Sequence, residues 1–325
     1  MKIHPMWADY PTLAPELTAT LDLIEGQIKP QNQPVAEALL SMINAGGKLL
    51  RPAYCLLFSQ FKQVDRKKMI ALAAAVESLH TATLVHDDII DKSATRRGLP
   101  TIAAQFGPDV AVYAGDYLFV VCFKLIAHWA SDLRSVQQDG ASMERLLNGE
   151  LSQMARRYNQ GITIDDYLSQ VSGKTGQLFA LAAFIGAYES DNSLMFAKTC
   201  EKIGMNIGIA FQLLDDILDY TSDVQTMGKP VHEDIRQGVY SAPLILAKQQ
   251  APAAFAPYLD KREAATDADL AAVVDLVDRY DGVGAARTLA ADYTARALAG
   301  LAKLPDQPAR ATLIKLTEQL LTRKS

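Results

Sequence analysis

The dominant pattern along the chain is the recurrence of apolar residues every three or four positions, which is the period of a helix buried on one face. Alanine and leucine are abundant, whereas alternating runs of β-branched residues are scarce, so the pattern favours helices over strands. The predicted helices span residues 13–27, 35–45, 52–60, 67–91, 109–130, 141–158, 163–172, 175–188, 194–223, 238–250, 267–279, 283–302 and 308–323. The least regular stretch is 251–266, and no long linker or repeat is present. The sequence therefore predicts one all-α domain over residues 1–325.

Composition and charge narrow the class of protein. Hydrophobic residues make up 49% and charged residues 21%, which is typical of a globular chain, and the net charge of −5 argues against general nucleic-acid binding. The cysteines, Cys55, Cys122 and Cys200, are far apart and odd in number, so a disulfide framework is excluded. The amino terminus lacks the apolar region of a signal peptide, and the longest apolar stretch, 178–188, is too short for a bilayer. We expect a cytoplasmic protein without a transmembrane segment.

Two acidic motifs supply the strongest chemical signal. Each has the form DDxxD and is flanked by apolar residues; their carboxylates are Asp87, Asp88, Asp91, Asp215, Asp216 and Asp219. A solvated helix face would not carry leucine and isoleucine beside its acids, so we expect a bound cation. Carboxylates without histidine or cysteine partners favour Mg²⁺, and three Mg²⁺ ions would balance the formal charge of −6. Because protein-bound Mg²⁺ usually also contacts substrate phosphates, the motifs predict a diphosphate substrate.

Other acids and histidines in or beside the predicted helices are not assigned to the cation site. Asp165 and Asp166 lack a third acid and follow Thr163 at a predicted helix start, where acids complement the helix dipole. His86, beside the first motif, is interpreted as a structural residue. His80 lies two turns before the first motif on the same face, and the sequence leaves open whether it donates to a second diphosphate or is a satisfied core histidine.

Fixed positive charge for a diphosphate is present in four short motifs. GGKLLRP, RRG, GKTG and GKP place basic side chains beside glycines: Lys48, Arg51, Arg96, Arg97, Lys174 and Lys229. Each residue taken alone would be typical of a solvated surface. Lys174 does not belong to a phosphate-binding P-loop, since Leu168 stands where that motif requires glycine.

Taken together, the motifs resemble those of trans-isoprenyl diphosphate synthases. GGKLLRP, HTATLVHDDIIDKSATRRGLPT, GEL, KTGQLF, FQLLDDILD and GKPVHED stand in that family's order and spacing, densely over residues 44–243. The resemblance implies an all-α helical bundle with a deep central cavity, two aspartate helices facing each other across its mouth, and a homodimer. It also implies the reaction: a Mg²⁺-dependent prenyltransferase joins an allylic diphosphate to isopentenyl diphosphate, and the released diphosphate takes the final proton.

The resemblance further implies roles for individual residues. The six aspartates would hold Mg²⁺ against the allylic diphosphate. The direct cationic contacts of that diphosphate would be Arg96, Lys174 and Lys229. The isopentenyl diphosphate pocket would comprise Lys48, Arg51, His80 and Arg97. The residues lining the reacting carbons would be Thr175 and Gln212. One departure is the segment 238–243, GVYSAP, where the family often has a basic residue followed by Thr-Leu-Pro.

Product length is predicted from the helix before the first motif. In the family, large residues four or five positions before the first aspartate stop chain growth; here Thr83 and Ala82 are small, and Ser78 and Leu79 lie one turn further. An isoprene unit is roughly as long as one helical turn, about 5 Å, so a pocket open for several turns predicts a product of about C30–C50. This length resembles heptaprenyl to decaprenyl synthases of quinone side chains, whose product would be delivered to a membrane.

Four alternatives are weighed against this interpretation. A geranylgeranyl diphosphate synthase would differ only in pocket depth. Some heptaprenyl and hexaprenyl enzymes need a second, non-catalytic subunit, and the sequence does not decide this point. A terpene cyclase would not keep the second DDxxD motif or need an isopentenyl pocket. A non-catalytic subunit of the same fold would not need six intact aspartates.

Overall fold

The computed structural model describes residues 3–221 and 233–321 and is almost entirely helical. The α-helices are α1 (Ala14–Gln27), α2 (Gln33–Asn44), α3 (Leu50–Phe58), α4 (Arg66–Ile90), α5 (Ile102–Phe106), α6 (Pro108–Trp129), α7 (Leu133–Ala155), α8 (Ile164–Val171), α9 (Gln177–Tyr188), α10 (Leu194–Thr221), α11 (Glu233–Arg236), α12 (Ala242–Gln250), α13 (Pro252–Leu259), α14 (Asp267–Arg279), α15 (Gly282–Ala302) and α16 (Pro308–Leu321). A π-helical turn, Ser172–Gly176, joins α8 to α9. Strands β1 (Thr95–Arg96) and β2 (Leu99–Pro100) form an antiparallel hairpin.

Every predicted helix has a counterpart in the structure. Where the observed helices differ from the predicted ones, the local sequence explains the difference. Helix α7 begins at Leu133, eight residues before the predicted start, because residues 133–140 are mostly polar and carry little apolar periodicity. Helix α13 lies inside the stretch predicted to be irregular; Pro252 occupies its first turn, where a missing N–H is tolerated. The acid pair after Thr163 caps α8, since Thr163 and Asp166 form a reciprocal capping box, which confirms that prediction.

The described residues fall into two compact units. The first comprises residues 3–140, 181–201 and 307–309, and the second comprises 141–180, 202–221, 233–306 and 310–321. The prediction of a single domain over residues 1–325 stays a prediction.

In the first unit, α4 is the central helix and packs against α1, α3 and α6. Its run from Ala71 to Val76 is wholly buried. Glycine allows α9 to approach α3 closely, since a Cβ on Gly186 of α9 would lie 2.2 Å from the carbonyl oxygen of Cys55 in α3. Small side chains therefore set the spacing of this core.

A buried polar cluster ties together the start of α4, the start of α7 and the end of α9. The Lys68 ammonium lies 2.6 Å from the carboxylate of Glu189, which is fully buried and also accepts hydrogen bonds from Ser131 and Ser135. One turn after Ser135, Asp139 is 2% exposed, and neither of its carboxyl oxygens has a hydrogen-bond partner. Burial, together with the charge of Glu189, raises the pKa of Asp139 to about 8.

Helix α6 presents an apolar face that its own unit does not cover. The large exposed apolar side chains on this helix are Val112, Tyr113, Val120 and Phe123. Both α4 and α6 are long and apolar enough to resemble membrane spans, but 72% of the apolar window of α4 is buried. Burial thus accounts for the apolar composition of α4. Only 44% of the apolar window of α6 is buried, so burial accounts for less of the apolar composition of α6.

The second unit has its own apolar core beneath the end of α10. Leu213 and Ile217 of α10 pack with buried residues of α12, α14 and α15, including Leu244, Val277 and Ala286. This core supports the helix face that carries the second aspartate motif.

Candidate active site

The first aspartate motif occupies the last turn of α4 and its carboxyl-terminal cap. Asp88 is buried, and its Oδ1 accepts hydrogen bonds from Arg96 Nε at 2.8 Å and Nη2 at 2.7 Å. Asp87 and Asp91 are half-buried and, being four residues apart, share a helix face. The structure therefore brings Arg96 to the motif but pairs it with Asp88.

The β1–β2 hairpin positions the two arginines that follow the motif. Arg96 pairs with Leu99, so the loop consists of Arg97 and Gly98, whose φ angles are 51° and 77°. Positive φ at both positions is the geometry of a tight two-residue hairpin turn. The Arg97 guanidinium reaches the GGK turn, because a Cβ on Gly47 would lie 2.8 Å from Arg97 Nη1. Glycine at 47 is what permits this approach.

Two members of the predicted isopentenyl diphosphate pocket, Arg51 and His80, contact each other, and Arg97 lies close enough for its charge to act on His80. Arg51 Nη1 lies 3.0 Å from His80 Nε2, and since a guanidinium only donates, Nε2 accepts and Nδ1 carries the ring hydrogen. Burial, with the charges of Arg51, Arg97 and Arg96, holds the pKa of His80 well below its usual range. His80 is thus a neutral member of a basic cluster. Lys48, the remaining member of the predicted pocket, accepts a hydrogen bond from Trp7 Nε1 through its backbone carbonyl at 3.0 Å.

Glu77 belongs to the same cluster and was missed by the sequence reasoning. It is buried in α4, one turn before His80, where burial raises its pKa and the charges of Arg51 and Arg97 lower it. An isolated acid in an apolar helix, three residues before a candidate histidine, was the available signal. Glu77 supplies negative charge that offsets the crowding of guanidinium groups.

His86 contacts the neighbouring helix α6, which agrees with its interpretation as a structural residue. Its Nε2 lies 3.2 Å from the carbonyl oxygen of Val112 and 3.4 Å from the Asp116 carboxylate, both on α6. A Cβ on Gly115 would lie 2.5 Å from the same nitrogen, so glycine makes room for the ring. His86 therefore helps to fix α4 against α6.

The second aspartate motif lies on α10 within a hydrogen-bond network of the second unit. Asp216 is buried and accepts hydrogen bonds from the hydroxyl of Tyr167 at 2.6 Å and from Nε2 of Gln212 at 2.8 Å. Burial raises the pKa of Asp216 to about 7, although both hydrogen bonds act in the opposite direction. Asp215 and Asp219 are half-buried. The sequence reasoning missed Tyr167, which is 49 residues away in the chain and carries no motif.

The π-turn aligns the two residues predicted to line the reacting carbons. Thr175 donates its hydroxyl to Gln212 Oε1 at 2.7 Å, so the Gln212 amide bridges Thr175 to Asp216. Lys174, in the same turn, lies 3.0 Å from Glu150 Oε2 and 3.2 Å from Gln153 Oε1 of α7. π-turns inside helices often mark functional sites.

The remaining predicted residues are placed as follows. Ala82, Ser78 and Leu79 are buried in α4, and Thr83 is half-buried. Lys229 lies outside the described residues.

Each aspartate motif offers Mg²⁺ only part of a full set of ligands. Among residues 3–221 and 233–321, no three metal-ligating side chains are close enough to hold an ion by themselves. Half-buried carboxylates that supply one or two ligands each, with substrate phosphates and water completing the shell, nevertheless suit Mg²⁺. The residues present therefore fit an ion that arrives with a diphosphate.

Similarity to known proteins assigns the chain to a family. Residues 32–277 match the model of the polyprenyl synthetase family. The chain is 33% identical to heptaprenyl diphosphate synthase component 2 of Geobacillus stearothermophilus, over 96% of both proteins, and 31% identical to nonaprenyl diphosphate synthase of Mycobacterium tuberculosis, over 93% of this chain and 90% of that protein. The crystal structure of geranylgeranyl pyrophosphate synthase from Lactobacillus brevis superposes with a TM-score of 0.94 at 44% identity, covering 98% of this chain and 99% of that one. These matches agree with the isoprenoid synthase fold, and the chain belongs to the polyprenyl synthetase family of prenyltransferases.

Proposed function

We propose that the chain condenses an allylic diphosphate repeatedly with isopentenyl diphosphate and releases an all-trans polyprenyl diphosphate of about C30–C50, the length predicted from the small residues Ala82 and Thr83 at roughly one helical turn per isoprene unit. The linked basic cluster of Arg51, His80 and Arg97 carries this proposal. A half-buried neutral histidine held by one guanidinium and flanked by another is suited to a second, non-ionising diphosphate. An enzyme that joins two diphosphate substrates requires such a pocket.

The two aspartate motifs are assigned to the allylic diphosphate. Asp87 and Asp91 of the first motif, and Asp215 and Asp219 of the second, would hold Mg²⁺, which neutralises charge on the leaving diphosphate when bound. Asp88 and Asp216 are fixed by hydrogen bonds with their own neighbours, which keeps each motif in register. Lys174 would contact the same diphosphate, and Arg96 would do so from its place beside the first motif.

The reacting carbons lie, in this proposal, near Thr175 and Gln212. Ionisation of the allylic carbon–oxygen bond creates a cation that the double bond of isopentenyl diphosphate attacks. The oxygen atoms of Thr175 and Gln212 can stabilise positive charge by their dipoles. The final proton passes to the released diphosphate, because no side chain among the described residues of the site stands out as a base.

The first experiment uses the purified chain with Mg²⁺, isopentenyl diphosphate and farnesyl diphosphate, and sizes the dephosphorylated products by mass. Products of seven or more isoprene units support a self-sufficient long-chain synthase. A stop at C20 supports a geranylgeranyl diphosphate synthase, the name of the Lactobacillus brevis relative. No product from a folded chain that binds diphosphate supports a partner subunit, as the component name of the Geobacillus relative suggests.

The metal assignment has a matched control in the chain. Asp215→Ala removes a half-buried carboxylate assigned to Mg²⁺ and is expected to abolish turnover and leave the circular dichroism spectrum of the helices unchanged. Asp165→Ala removes an exposed acid from the similar DDYLS segment of α8 and is expected to keep normal turnover. Near-normal activity of Asp215→Ala would contradict the assignment.

The exposed apolar face of α6 supports a homodimer. Tyr113 is 75% exposed, and Val120 and Phe123 are each 53% exposed on the same side of the helix, a pattern that favours burial against a second copy. Phe123→Glu is expected to convert the dimer to a monomer in light scattering after size exclusion. A native chain that is already monomeric would contradict the dimer and favour a different partner subunit.

A further inference from the structure

The contact between Lys174 and α7 suggests how the affinity for diphosphate is adjusted. Glu150 and Gln153 are three residues apart and therefore share one face of α7. The Lys174 ammonium lies 3.0 Å from the Glu150 carboxylate and 3.2 Å from the Gln153 amide oxygen. A charged and a neutral acceptor thus hold the same ammonium group.

Two glycines bring the π-turn and α7 close enough for this contact. A Cβ on Gly149 would lie 2.9 Å from backbone atoms of Gly173 and Lys174, and a Cβ on Gly173 would lie 2.8 Å from the Cα of Gly149. These separations are too short for any side chain. Backbone contact between Gly149 and Gly173 therefore keeps Glu150 within reach of Lys174.

The ion pair is only partly exposed, with side-chain exposures of 34% for Lys174 and 18% for Glu150. Water screens such a pair incompletely, so its attraction is modest but real. A diphosphate that approaches Lys174 must share the ammonium with the carboxylate already beside it. Each additional negative charge near the lysine lowers its affinity for an anion.

We propose that Glu150 is a positioning residue that holds Lys174 before substrate arrives and competes with diphosphate for its charge. This inference rests on the proposed function, in which Lys174 contacts the allylic diphosphate. Gln153 aims the ammonium without adding charge. The competition keeps diphosphate binding weak enough for release after each condensation.

The test measures binding of inorganic diphosphate in the presence of Mg²⁺ by calorimetry. Glu150→Gln keeps the side-chain length and removes the charge, and is expected to tighten binding about fivefold, the scale of a partly exposed ion pair. Gln153→Glu adds a carboxylate and is expected to weaken binding by a similar factor. Glu144→Gln, the same change at an exposed position of α7, is expected to leave binding unchanged.

Kinetics and a double variant separate this role from a purely structural one. Glu150→Gln is expected to lower KM for the allylic diphosphate and leave KM for isopentenyl diphosphate unchanged. In a Lys174→Gln background, Glu150→Gln is expected to have no further effect on diphosphate binding. Unchanged or weaker diphosphate binding by Glu150→Gln alone would overturn the inference.

The binding assay does not depend on turnover, so the two proposals fail separately. A chain that makes no prenyl product but binds diphosphate more tightly after Glu150→Gln would contradict a self-sufficient synthase and support the inference. A chain that elongates prenyl substrates normally but shows no effect of Glu150→Gln on diphosphate binding would support the proposed function and contradict the inference.

Discussion

The buried Asp139 carboxyl predicts an unusual dependence of stability on pH. Its pKa is raised from 3.8 to about 8, because it is buried without a hydrogen-bond partner near the charge of Glu189. Between these two pH values the unfolded chain releases the proton while the folded chain retains it. Stability from this group is therefore complete below about pH 4 and is lost as pH rises towards 8. At about 1.4 kcal/mol per pKa unit, the total loss is about 6 kcal/mol.

Asp139→Asn tests this reasoning, since asparagine has a similar shape and does not ionise. Urea unfolding at pH 5, 6, 7 and 8, at fixed protein concentration, gives the free energy of unfolding of each protein. The native chain is expected to lose stability relative to Asp139→Asn at each step, so the difference between the curves grows with pH. Asp22→Asn, at an exposed position of α1, is the control and should parallel the native chain. Parallel curves for the native chain and Asp139→Asn would refute the assigned pKa.

Three further predictions concern packing, the second motif and product length. Gly186→Ala should lower the free energy of unfolding by about 1–3 kcal/mol by overpacking against α3. Gly26→Ala, whose Cβ meets nothing within 4 Å, should not destabilise the protein. Equal urea midpoints for the two variants would contradict this prediction. Tyr167→Phe should raise the Mg²⁺ concentration for half-maximal turnover roughly tenfold, because the second motif loses a buried hydrogen bond. The control is Tyr293→Phe, which should leave that concentration unchanged. An unchanged Mg²⁺ dependence of Tyr167→Phe would argue against the hydrogen-bond network around Asp216. Ala82→Phe should shorten the product measured by mass spectrometry, and an unchanged length would show that α4 residue 82 does not line the tail pocket.

The sequence predicted the helices well, because they depend on short-range pattern. Apolar periodicity places α4 and α10 within a few residues of their true ends. The aspartate and basic motifs are recognisable locally, and the family match confirms the reaction class they implied. The start of α7 was wrong because polar residues hide a helix that is stabilised by packing rather than by its own pattern.

The partners of the motif residues could not be predicted, because they are brought together by tertiary structure. Tyr167 reaches Asp216 across 49 residues, and Thr175 reaches Gln212 across 37. Asp88 was expected to act like its neighbours, but an arginine eight residues later pairs with it. A backbone angle such as that of Arg97 depends on its neighbour Gly98 and on the hairpin that both complete.

The π-turn at Ser172–Gly176 has a consequence for how this chain tolerates insertions and deletions. A π-turn accommodates one residue more than an α-turn, so loss of one residue there would merge α8 and α9 into a regular helix. Such a deletion would improve local hydrogen bonding, yet it would rotate Thr175 away from Gln212 by about a quarter turn relative to α8. The turn is therefore a place where stability and activity oppose each other within five residues.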